Sequence, residues 1–198
     1  MTAVNVMRGR TCHQGSGRAS MIEHDEFATR VVPFSVRRHF IRELDLEPLL
    51  AAHARLRDMC NRLEEYADAL PGRLPSADAD AICCDLRVVV VSHARDETAV
   101  IDALFTRSIG DPLTAAVMRR VRARHISDAI QADDILAALS GVSTPCAEAF
   151  GYMLRSFFDG ARQAMDFTQL AILTLGAGRL TQGSRDMLVR GLGERNAI

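Results

Sequence analysis

At 198 residues and 48% hydrophobic content, the chain is long enough to bury one substantial core, and its net charge of −1 gives no electrostatic ground for a nucleic-acid or anionic-membrane partner. All 24 of its basic residues are arginine, Trp is absent, and β-branched runs are short outside Val88–Val91, which favours an all-helical protein over a sheet. No apolar run reaches transmembrane length and no apolar segment of signal-peptide type opens the sequence, so the expectation is a cytoplasmic protein.

From Met1 to about Arg30 the chain mixes Gly, Ser, Thr and charges without periodicity and reads as a mobile tail, in which Cys12, His13 and His24 are isolated. Val31 to Leu44 carries Pro33 and the cluster Arg37, Arg38 and His39, and reads as a lead-in arm. Residues 1–44 are thus expected to be an arm ahead of a helical domain over 45–198.

The first long helix begins near Asp45, a good N-cap, with Glu47 and Pro48 in its first turn. Leu49, His53, Leu56, Cys60, Leu63, Ala67 and Leu70 recur at spacings of four and three, and Pro71, Gly72 and Pro75 end the run. Ser76 opens a second helix that reaches about Phe105. Its inward face holds Leu86, Val89, His93, Glu97, Val100 and Leu104. Cys83 and Cys84 point about 100° apart on it, one inward and one at the surface.

Gly110, Asp111 and Pro112 form the next break, with Asp111 as N-cap. The third helix runs to Leu139 with Val117, Val121, His125, Ala129, Ala132 and Leu136 along one face, and Arg119, Arg120, Arg122 and Arg124 on a solvated one. After Ser140 to Pro145 a fourth helix extends from Cys146 to about Leu175. Its stripe, Phe150, Leu154, Phe157, Ala161, Ala164, Thr168, Ala171 and Leu175, is small in the middle. Gly176 and Gly178 break it, and Ser184 to Leu192 suits a short terminal helix. Five cysteines without a C-x-x-C pair give no disulfide framework. Four long amphipathic helices on short loops point to an all-α, antiparallel up-down-up-down four-helix bundle.

His53, His93, Glu97 and His125 each sit on an inward stripe near the middle of a helix, where the levels of four alternating helices coincide. Singly, each histidine reads as a satisfied core residue. Jointly, three imidazoles and a carboxylate are expected to converge, and an unpaired buried carboxylate costs several kcal/mol unless something compensates it. Nitrogen and carboxylate donors suit iron, zinc or manganese better than calcium or magnesium.

The stretch AAHARLRDMCNRLEEYADALP, the runs SHARDE and RHISDA, and FGYMLRSFFDGARQAMDFTQLAILTLGAGRLT together resemble a bacterial hemerythrin-like protein of the HHE cation-binding type, over about Leu46 to Leu192. The resemblance implies a four-helix bundle with a non-haem di-iron centre that binds dioxygen or responds to nitric oxide and redox change. It implies His53 as a ligand from the first helix, His93 and the bridging Glu97 from the second, and His125 from the third. Three of the family's ligand positions are replaced, by Ala129, Ala164 and Thr168. The set therefore falls short of a complete di-iron centre.

Two outcomes stand open. One iron or other transition metal is held by His53, His93, Glu97 and His125, with Asp128 as a substitute ligand in reserve although its expected place is at the surface or behind the ligands; or the imidazoles satisfy Glu97 in a hydrogen-bonded network without metal. Likewise, either the small stripe leaves a pocket lined by the lost ligand positions Ala129, Ala164 and Thr168, or Phe158, Met165 or Phe167 turns in and closes it. The leading functional expectation is a binding and sensing protein that reports oxygen, nitric oxide or redox state from this site. The alternative is a metal-free regulator or adaptor acting through a protein partner or a homodimer. No enzyme is expected: paired Glu-x-x-His motifs, a Ser-His-Asp order and phosphate-binding glycine loops are missing from the helical region.

Overall fold

Runs of good helix formers broken only at proline and glycine produce five helices: α1 (Glu47–Ala69), α2 (Ser76–Phe105), α3 (Pro112–Leu139), α4 (Ala147–Leu175) and α5 (Gln182–Gly193). The computed structural model describes residues 44–72, 76–108 and 110–193, and among these there is no strand. Residues 1–43 of the expected tail and lead-in arm, with Cys12, His13 and His24, lie outside the described residues.

The helix ends follow local chemistry. Asp45 accepts a hydrogen bond from the Glu47 N–H at 2.9 Å, so the cap sits one residue ahead of Leu46 at the helix entry. Asp111 accepts from both the N–H and the hydroxyl of Thr114 at 2.7 Å, and Pro112 occupies the first helical position where no N–H is missed. At the other end of α3 the Ser140 hydroxyl donates to the Leu136 carbonyl at 2.7 Å, and Gly141 turns the chain at φ 76°, a region only glycine enters freely.

α1 packs on α2 and α4, α3 packs on the same two helices, and α5 lies against α4. Two apolar clusters form the interior. The first gathers Leu56, Leu63, Ile82, Leu86, Ile135, Leu154 and Phe157; the second gathers Leu46, Leu49, Val100, Leu104, Val121 and Ile172. Between them, on each of the four long helices, lies a buried polar stretch: His53 on α1, His93 and Glu97 on α2, Asp128 on α3, Thr168 and Gln169 on α4. The apolar clusters thus hold a polar layer at mid-depth. Among the described residues no helix is long and apolar enough to cross a membrane.

One expected face is corrected. The buried positions of α3 run Val117, Val121, Asp128, Ala132 and Ile135, whereas Ala129 is exposed and Leu136 only half-buried. A step of four advances about 40° beyond a full turn, so two such steps after Val121 carry Ala129 out of the stripe and a step of three restores it at Asp128.

Phe157 is fully buried in the first cluster. Phe157→Ala is expected to lower unfolding free energy in urea by about 3–5 kcal/mol, the cost of lost contacts plus a cavity. A loss below about 1 kcal/mol would mean that this end of the interior is not close-packed.

Candidate metal centre

All three histidines among the described residues meet at Glu97. Its Oε1 lies 3.2 Å from His53 Nε2 and 3.7 Å from His93 Nε2, and its Oε2 lies 2.5 Å from His125 Nε2. The imidazole rings stand 5.2 Å apart for His53 and His93 and 5.8 Å apart for His93 and His125. Glu97, His53 and His93 are each at most 3% exposed.

The charge state follows from these contacts. Burial by itself raises the pKa of Glu97, but hydrogen bonds from His125 and His53 and the neighbouring imidazoles overcome it and hold the carboxyl well below its usual range. Burial, only partly opposed by Glu97, pushes His93 down to about 4. The centre is therefore an ionised carboxylate beside a neutral His93 imidazole. His93 Nε2 is buried and makes no hydrogen bond, a costly state for a polar atom.

The donor set fits a metal ion. One atom each from His53, His93 and Glu97 lie within 4.8 Å of one another. Two donors about 2.1 Å from a shared metal stand about 3.0–3.4 Å apart, close to the 3.2 and 3.7 Å between Glu97 Oε1 and the two imidazole nitrogens. His125 is outside that group, on the opposite oxygen, and the Thr98 hydroxyl stands 3.5 Å from its Nδ1. Asp128 does not reach in. It is buried and held by Arg124 at 2.6 Å, with burial raising its pKa against the pull of that arginine.

A cavity of about 340 Å³ opens onto the centre between α3 and α4, lined by His93, Glu97, His125, Ala164, Phe167 and Thr168. Of the three positions that the resemblance marks as replaced ligands, Ala164 and Thr168 thus face it; exposed Ala129 does not line it. None of the side chains that were candidates to close it fills it. Phe158 and Met165 are buried in the first apolar cluster, and the Phe167 ring lies under the Arg120 guanidinium at 4.5 Å. Arg120 and Arg124 border this cavity rather than a wholly solvated face, because they flank Val121 and His125 on the side turned to α4.

Sequence reasoning missed Gln169. It is 1% exposed, and its side-chain Nε2 lies 2.9 Å from His53 Nδ1, on the far side of the ring from Glu97. Its signal was a second polar residue beside Thr168 in an otherwise apolar stripe. No protein-family model, curated protein or solved structure matches this chain.

Proposed function

We propose that the chain is a hemerythrin-like binding and sensing protein in which His53, His93 and Glu97 hold a single transition metal, with iron the first candidate. The observation that carries this reading is the convergence of those three donors within 4.8 Å, with His93 Nε2 left without any other partner. Iron there would supply one-electron chemistry and open positions for a small ligand such as oxygen or nitric oxide. His125 would act on the metal through Glu97, fixing the carboxylate by its outer oxygen, and Gln169 would orient His53. The cavity between α3 and α4 gives a small ligand its approach.

The same reading takes the four long helices as an antiparallel up-down-up-down bundle. In its support, Arg55 pairs with Asp96 and Arg62 with Asp85, so numbering rises along α1 as it falls along α2. Arg87–Asp133 with Arg122–Asp102, and Arg155–Asp68 with Arg162–Glu64, run the same way between α2 and α3 and between α1 and α4. These surface pairs add little stability, but they report register.

One observation favours a second reading, a metal-free regulator or adaptor: His53 and His125 already meet both oxygens of Glu97. Metal analysis separates the two. Protein purified without chelator and loaded with ferrous iron under anaerobic conditions is expected to retain about one equivalent per chain. Retention of less than about a tenth of an equivalent of any transition metal would favour the closed network and overturn the metal reading.

A further inference from the structure

His53 borders a second, surface-open cavity of about 230 Å³ between α1, α4 and α5, lined by Leu50, His53, Arg57, Gln169, Arg190 and Gly191 among others. Among the described residues, two guanidinium groups line it and no acidic side chain does. Arg57 Nε and Nη2 are buried and make no hydrogen bond, and the same is true of Gln169 Oε1. Buried charged donors without an acceptor are costly, and an anion is the chemical complement of such a lining. The missing side chain at Gly191 leaves this room: a Cβ there would stand 3.4 Å from Gln169 Nε2 and 3.7 Å from its Oε1.

Gln169 connects this cavity to the polar layer. With its amide nitrogen donating to His53 Nδ1, the imidazole must carry its proton on Nε2, where it donates to Glu97. In that state Gln169 offers only a carbonyl oxygen toward the cavity, and His53 has no lone pair for a metal. Turning the amide by 180° reverses both features. With a metal at the centre, the oxygen then accepts from His53 Nδ1–H, the Nε2 lone pair serves the metal beside Glu97, and the amide NH₂ joins the guanidinium groups of the cavity. An oxyanion in the cavity and a metal on His53 therefore favour the same amide and the same tautomer. Thermodynamic linkage makes the effect reciprocal.

We propose that the α1/α4/α5 cavity binds a small oxyanion through Arg57, Arg190 and the Gln169 amide, and that its occupation tightens metal binding by favouring the Gln169 amide orientation that leaves His53 Nε2 free for the metal. The anion site stands on the cavity alone, whereas its effect on metal rests on the function proposed above.

The full chain in metal-free form is titrated with sulfate, for tetrahedral oxyanions, and separately with acetate, for carboxylates, at constant ionic strength. At least one probe is expected to bind one equivalent, while Arg57→Gln loses binding. Gly191→Val, which fills the cavity without removing a charge, is the second variant and is expected to lose it too. Metal affinity of the wild type should rise about tenfold at saturating anion and stay unchanged in Gln169→Leu. Failure of both probes to bind, or equal binding to wild type and folded Arg57→Gln, would overturn the site. Anion binding with no change of metal affinity would overturn the coupling. Absence of metal binding alongside anion binding that Arg57→Gln removes would overturn the proposed function and leave the anion site standing.

Discussion

Glu97→Gln should abolish metal retention while leaving the helices folded. The carboxamide keeps the size of the side chain and can still bond both flanking imidazoles, one through its oxygen and one through its NH₂, because each imidazole can shift its proton. The cost to the metal-free fold is expected to be about 1 kcal/mol, that of exchanging charge-assisted hydrogen bonds for neutral ones. The metal, by contrast, loses its only anionic donor. Changes in residues that merely support metal ligands cost about 10–100-fold in affinity, so loss of this ligand should exceed about 100-fold. At free metal about 100 times its dissociation constant, wild type should gain about 2.7 kcal/mol of stability and the variant essentially none. Glu97→Leu is the harsher change. It strands the His53 and His125 ring nitrogens in the interior, at about 1–3 kcal/mol each, with or without metal. Equal metal-dependent stabilisation in wild type and Glu97→Gln would place the metal somewhere other than this centre.

The second large effect is on pH. His93 has an ordinary value of 6.5 and is held at about 4 by burial, so between those two pH values the unfolded chain takes up a proton that the folded chain refuses. Stability of the metal-free protein is therefore fully present above pH 6.5 and falls as pH drops toward 4. At about 1.4 kcal/mol per pH unit, that interval removes about 3 kcal/mol. Glu97 acts in the same direction lower down: its depressed value makes stability fall once the unfolded carboxylate begins to protonate, near 4.5 and below. Urea unfolding at a series of pH values separates the two limbs. His93→Gln, which does not titrate, should flatten the curve between pH 6.5 and 4.5 and leave the lower limb in place. Metal should steepen the upper limb in wild type, because protons and metal compete for the same imidazole nitrogens. Identical slopes for wild type and His93→Gln over the upper interval would show that His93 is not buried as a neutral group.

Much of this architecture was legible from spacing. Pro112 after Asp111 marked the start of α3, and the stripes through Leu56, Leu86 and Leu154 marked the buried faces, because amphipathic period and helix-breaking residues act locally. The meeting of His53, His93 and Glu97 was also legible, since each lies near the middle of an inward stripe. What escaped depended on small rotations and on partners from other helices. Ala129 and Asp128 are neighbours in sequence, and only the accumulated twist of α3 decides that Asp128 is buried and Ala129 exposed. Gln169 acquires its role from His53, distant in sequence, and Arg120 acquires its place from the Phe167 ring on α4. Whether the space beside Ala164 and Thr168 closes was likewise beyond local rules, because it turned on where Phe158 and Met165 found neighbours.

X-ray absorption at the edge of the bound metal, recorded on the iron-loaded full chain, most directly examines whether two imidazoles and one carboxylate hold it. The expected first shell contains only nitrogen and oxygen at about 2.0–2.2 Å, with the outer scattering of two imidazole rings, both lost in Glu97→Gln. Sulfur neighbours at about 2.3 Å, or a first shell unaltered by Glu97→Gln, would contradict it.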